Sequence, residues 1–204
     1  MVEVKEVDIE KWLNGSGDSG FILFSLGTAI KPQNMKKETL DIFLKVFRKL
    51  EQRIICSWDS KGIENIPSNV MLRPYLPQQD ILAHPKIRLY ITHGGMLSIQ
   101  EATYYGVPIV GIPFIADQKG NIEDTVFQGW GRIVSWKDLT EQKFSSAIQE
   151  VLTNETISMK AKERSILMRD WPTTPAEEVP YWVDYVLRHK GAKHLQSPFV
   201  TMSW

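Results

Sequence analysis

The feature that most constrains this chain is an alternation. Short apolar runs, each too short for a helix, are separated by stretches with apolar residues at helical spacing. The first run is Phe21-Ile-Leu-Phe-Ser-Leu26, which stops at Gly27. Arg53 to Trp58, Val70 to Leu72, Arg88 to Ile91, Pro108 to Ile112 and Gly131 to Val134 follow it. Between the first two, Leu40, Phe43, Leu44, Phe47 and Leu50 recur at helical intervals. A helix over 96–105 separates the fourth and fifth, stopped by Gly106 and Pro108. Phe144, Ala147, Ile148 and Val151 mark another after the sixth. Strands alternating with helices predict an α/β fold, a Rossmann-like parallel sheet with helices on both faces. Its core is expected over 20–153, with a helical extension over 154–190 whose last helix carries Val179, Trp182, Val183 and Val186 as an apolar stripe.

Composition narrows the class of partner. The 204 residues include 24 Lys plus Arg and 24 Asp plus Glu, a formal net charge of zero, which argues against a general electrostatic role on nucleic acid or acidic membrane. With 43% hydrophobic residues the chain can bury a sizeable core. The single cysteine, Cys56, excludes an intrachain disulfide. There is no apolar stretch of about 18 residues to span a bilayer, and the opening Met-Val-Glu-Val-Lys has no signal-peptide core.

In open parallel sheets ligands sit where strand ends pass into helices. Ser25-Leu-Gly-Thr28 follows the first strand, and its small residues let the backbone approach an anion while a hydroxyl bonds a phosphate oxygen. By itself such a loop is as often a tight turn. No GxGxxG motif stands there, which argues against a dinucleotide. The stronger loop is Tyr90-Ile-Thr-His-Gly-Gly-Met-Leu-Ser-Ile-Gln-Glu101. Gly94 and Gly95 clear the first turn of a helix, so its free amides and dipole face an anion, with His93 as an added donor. A lone histidine at such a place commonly caps or fills a core. The double glycine turns the reading towards a diphosphate cradle. Glu101, about two turns further on, is placed to accept two hydroxyls of a ribose, although a solvated carboxylate is the ordinary alternative. Upstream, Tyr75 offers a face for a planar base and Gln78 a donor–acceptor edge for uracil. Downstream, Asp117 and Gln118 suit sugar hydroxyls. His84, before Pro85, reads as a structural turn residue. No carboxylate or His/Cys cluster suggests a metal.

These motifs together resemble the signature of the animal UDP-glycosyltransferases. The resemblance rests on Leu76-Pro-Gln-Gln-Asp80, Leu82-Ala-His-Pro85, Thr92-His-Gly-Gly95, Gln100-Glu-Ala102, Gly106-Val-Pro108 and Ile112-Pro-Phe-Ile-Ala-Asp-Gln-Lys-Gly-Asn121. Their order and spacing match over nearly the whole chain, and Met96-Leu-Ser98 is similar to the insect branch. The resemblance implies the C-terminal, donor-binding half of a GT-B fold. It places Tyr75 and Gln78 on uracil, Ser25 and His93 on the phosphates, Glu101 on the ribose, and Asp117 with Gln118 on the transferred sugar. Gly27, Thr28, Gly94 and Gly95 complete the expected UDP-sugar site.

The same resemblance implies that the catalytic histidine belongs to an N-terminal acceptor domain, so no catalytic residue is expected in this chain. It also implies a membrane helix beginning near Trp204, a full-length protein in the endoplasmic reticulum membrane with this domain in the lumen, no cofactor beyond the UDP-sugar substrate, and glucose as the favoured hexose. Asn14-Gly-Ser16 and Asn154-Glu-Thr156 are N-glycosylation sequons compatible with the lumen. Three positions depart from the family pattern. Tyr75 replaces a usual tryptophan, Ser57 stands where a basic residue is usual, and Leu97 replaces an asparagine of many vertebrate members, leaving that phosphate contact to backbone donors. Two other readings fit less of the chain: a non-catalytic UDP-sugar-binding module, and another GT-B enzyme such as a nucleotide-sugar epimerase.

Overall fold

A computed structural model describes residues 3–27, 30, 32–200 and 202. Six strands form one parallel sheet: β1 (Phe21–Ser25), β2 (Arg53–Ser57), β3 (Val70–Arg73), β4 (Ile87–Thr92), β5 (Ile109–Gly111) and β6 (Gly131–Ile133). All six fall on the apolar runs. Their order is β3-β2-β1-β4-β5-β6, a doubly wound sheet whose direction of winding reverses between β1 and β4.

Side chains alternate along each strand and divide the core in two. Ile22 and Phe24 of β1 face α2 (Lys37–Arg48) and α6 (Glu141–Thr153), packing with Phe43, Phe47, Phe144 and Ile148. The rings interlock edge to face, with Phe24 and Trp58 centroids 4.7 Å apart. Phe21 and Leu23 face the other way, onto Ile81 and Leu82 of α3 (Gln78–Ala83), Ile99 and Ala102 of α4 (Met96–Tyr105), and Ile9 and Leu13 of α1 (Glu3–Asn14). His84 stays structural: its ring meets Phe21 edge-on at 5.2 Å and its Nδ1 accepts from the Lys86 amide at 3.1 Å.

Three helices in this part lack a sequence signal, α1 and two others. The six-residue α3 follows Pro77, and burial of Ile81 and Leu82 holds it. The other, α5 (Gln118–Phe127), carries Gly120 near its start and buries only Ile122 and Thr125, too few apolar positions to show a period.

The chain divides into two compact units, Met1–Met168 and Arg169–Trp204. The first contains the sheet and most of α7 (Glu155–Arg169). The second is built on α8 (Pro175–Arg188), started by a Thr174–Glu177 capping box with Pro175 at the first helical position. Its stripe of Val179, Trp182, Val183 and Val186 is exposed.

Candidate functional site

The site grows from the reversal between β1 and β4. Ser25 pairs with Thr92 in register, so the loops leaving these two strands start side by side and run to opposite faces of the sheet. His93 lies in the gap. A Cβ added to Gly27 would come within 2.9 Å of His93 Cε1 and Nε2, and one on Gly95 within 2.8 Å of Nε2. The imidazole is therefore held between two backbone segments that only glycine lets approach, and Gly27 also takes φ +74°. Gly94 has φ +87°, and a Cβ there would fall 2.9 Å from the Gln118 carbonyl oxygen. Thr28, expected beside Gly27, lies outside the described residues.

Burial lowers the pKa of half-buried His93, and the nearby Asp117 carboxylate opposes this more weakly. The ring is neutral near pH 7. Its Nδ1 is buried without a hydrogen-bond partner. Beside it α4 begins at Gly95, with no side-chain cap on its first turn. Those amides are left for solvent or an anion. Met96 and Leu97 at the same turn are exposed.

On α4 the carboxylate of Glu101 is gripped by two amides. Gln78 Nε2 donates to Glu101 Oε2 at 2.5 Å and Gln79 Nε2 donates to Oε1 at 3.1 Å. The other end of Gln78 accepts from the Tyr90 hydroxyl at 2.9 Å. Gln78, expected at a base edge, thus has both ends of its amide engaged within the protein. Tyr90 is fully buried, and burial raises its pKa, so its hydroxyl keeps its proton through the neutral range.

The loop after β5 supplies the remaining polar groups. Gln118 Oε1 accepts from the amides of Phe114 at 2.9 Å and Ile115 at 3.1 Å, so its donor end, Nε2, is not used in these bonds. Asp117, exposed at the start of α5, accepts from Asn121 Nδ2 at 2.7 Å, and the same nitrogen donates to the Gly94 carbonyl at 3.0 Å. Asn121 therefore ties this loop to the glycine turn. Ala116, just before Asp117, takes φ +54°, a conformation that costs a non-glycine residue free energy and gathers at functional loops.

Tyr75 is 82% exposed, its ring face unobstructed. A cleft of about 820 Å³ is lined by Gly27, Ser57, Trp58, Asp59, Lys61 and Pro74, the residue before Tyr75. The wall that Ser57 occupies without charge also carries Asp59 and Lys61, one anion and one cation. The structure thus brings Ser25, Gly27, His93, Gly94 and Gly95 together at the strand ends. Glu101 with Gln78 lies on one flank and Asp117 with Gln118 on another. The residues that sequence reasoning missed are Tyr90, Gln79 and Asn121. The only local hint of the three was Asn121, one helical turn after Asp117.

Sheet order and glycine turn define the class: a Rossmann-like α/β domain of the kind found in GT-B glycosyltransferases. A structure of the glycosyltransferase VinC in complex with dTDP superimposes with a TM-score of 0.73 at 19% identity, over 87% of this chain and 44% of VinC. Os79 from O. sativa in complex with UDP gives a TM-score of 0.68 at 20% identity, over 76% of this chain and 37% of Os79. The family model described as UDP-glucoronosyl and UDP-glucosyl transferase matches residues 3–204, and the chain belongs to that family. Relatives include the UDP-glycosyltransferase UGT5 of Dactylopius coccus, 36% identical over 97% of this chain, and UDP-glucuronosyltransferase 2B1 of Rattus norvegicus, 34% identical over 97%. The chain spans 37% of the length of each of these two relatives.

Proposed function

We propose that this chain is the donor-binding domain of a UDP-glycosyltransferase that moves a hexosyl group, glucose favoured, to small lipophilic acceptors. The observation that carries the reading is the uncapped helix start at Gly95, with the unpaired, neutral imidazole of His93 beside it at the winding reversal of the sheet. Backbone amides there receive the diphosphate, with Ser25 on the neighbouring strand end, and they stabilise the charge that develops on it during transfer. Tyr75 stacks on uracil. Glu101 takes the ribose hydroxyls, and Gln78 acts on them through its bond to Glu101. Asp117 accepts from sugar hydroxyls and Gln118 Nε2 donates to one.

Transfer itself needs a base on an acceptor-binding domain. That base removes the proton of the acceptor hydroxyl as its oxygen attacks the anomeric carbon, and the bond from that carbon to the β-phosphate oxygen breaks to release UDP. The domain in hand contributes the donor half and by itself transfers nothing. Among the described residues no helix is long and apolar enough to cross a membrane. Placement in the lumen of the endoplasmic reticulum belongs to the full-length protein in this reading.

Isothermal titration of the chain against UDP, UDP-glucose, UDP-glucuronate, UDP-N-acetylglucosamine and NAD tests it. Binding of the uridine nucleotides in preference to NAD is expected. No heat with any uridine nucleotide at millimolar ligand would overturn it.

A further inference from the structure

The network behind Glu101 has a direction. Its carboxylate can only accept, so Gln78 must turn its NH2 end towards Oε2, at 2.5 Å. That fixes the carbonyl end of Gln78 on Tyr90, and Tyr90 must then donate, at 2.9 Å. A flipped amide would set its oxygen against the carboxylate and lose the bond to Glu101. Ser98 Oγ, 3.5 Å from Gln78 Nε2, also faces this nitrogen. From the exposed side Gln79 donates to the second oxygen at 3.1 Å. Each carboxylate oxygen has thus spent one acceptor position on a protein amide. The remaining positions, one per oxygen, form a pair suited to two adjacent hydroxyls. The chain of donors runs from a buried phenol to a partly exposed carboxylate, and each bond polarises the next.

We propose that Tyr90 and Gln79 are positioning residues that hold Glu101 as a bidentate acceptor for a vicinal diol, so that the site selects ribonucleoside over deoxyribonucleoside diphosphates. This rests on the reading that Glu101 meets the ribose. Neither residue touches the nucleotide. Tyr90 acts through Gln78 from inside the core, and Gln79 acts from the surface. Without the Tyr90 hydroxyl the carbonyl end of Gln78 loses its anchor, and the carboxylate is held less firmly in its orientation.

The test measures Kd by titration calorimetry for UDP and for 2′,3′-dideoxyuridine 5′-diphosphate, which differ only in the diol. The native chain is expected to prefer UDP by roughly tenfold or more, as two hydrogen bonds to a charged acceptor imply. Tyr90→Phe should weaken UDP roughly five- to tenfold and leave the dideoxy compound within about twofold. Gln79→Ala, a surface change that leaves the core intact, should weaken UDP alone by a smaller factor. Equal weakening of both ligands by Tyr90→Phe would reduce its role to general packing and overturn the proposal. So would an unchanged preference in both variants. If Tyr90→Phe does not fold, the Gln79→Ala preference decides. A native chain that binds both ligands equally would instead remove the ribose role of Glu101, a separate failure.

Discussion

The two flanks of the site are built in opposite ways. Around Glu101 the polar ends are paired: Tyr90 to Gln78, then Gln78 and Gln79 to the carboxylate. Around His93 they are left open, with Nδ1 buried and unpaired and the first turn of α4 uncapped. A paired network is set before the ligand arrives and loses little order when it binds. A buried nitrogen without a partner carries an unmet cost, and the uncapped amides beside it are open to water or an anion. The first flank is arranged for selection, the second for attraction. A ligand with a ribose but no phosphate should sense only the first, and a phosphate group without the ribose diol only the second.

The sharpest way to break that division is Glu101→Ala. It removes the proposed acceptor of both ribose hydroxyls, so UDP and uridine should each lose on the order of 30- to 100-fold in affinity, while inorganic pyrophosphate should bind as before. Equal loss for pyrophosphate, measured by calorimetry, would merge the two flanks. Gly95→Ala is the mirror experiment. Its Cβ would stand 2.8 Å from His93 Nε2, so ring or helix start must shift. UDP affinity should fall by about tenfold with uridine unaffected, since a displaced cradle loses on the order of one charged hydrogen bond.

A smaller, pH-dependent effect belongs to His93 alone. In the empty chain burial holds its pKa below the usual value of about 6.5. The unfolded chain then binds the proton more tightly, so this group costs stability as pH falls from about 6.5 through the lowered folded value. A diphosphate bound there as proposed would raise the pKa again. Affinity for UDP-glucose, whose diphosphate stays ionised, should therefore increase a few-fold as pH falls from about 7.5 to 5.5. In His93→Gln both slopes should vanish, as thermal melts and titrations at several pH values would read. The smallest change sharpens the base side: Tyr75→Trp should tighten UDP by no more than a few-fold through a larger stacking face, with pyrophosphate unaffected.

What was legible in the sequence was local. A strand of five residues with a glycine after it, or two glycines at a helix start, is a pattern within a few positions. The six strands and the His93 turn could therefore be read directly. The helices α3 and α5 could not, because their order comes from Ile81, Leu82 and Ile122 packing on the sheet rather than from a period of their own. The side-chain network was hidden for a related reason. Tyr90 and Gln78 are 12 positions apart, Gln78 and Glu101 23, and Asn121 and Gly94 27. Gln78 read alone offers an amide to a base; only the fold reveals that both its ends are taken. The Rossmann-like class followed from alternation, whereas the division of labour between the two flanks needed coordinates.

Asn121 Nδ2 serves the Gly94 carbonyl and the Asp117 carboxylate together, at 3.0 and 2.7 Å. It is a shared hinge pin between the turn proposed to meet the diphosphate and the residue proposed to meet the sugar. A ligand that settles the turn also fixes the angle of Asp117. Nucleotide and sugar are then felt by the protein as one object, and UDP plus free glucose should be a poorer ligand than the two joined, by more than the tether between them accounts for.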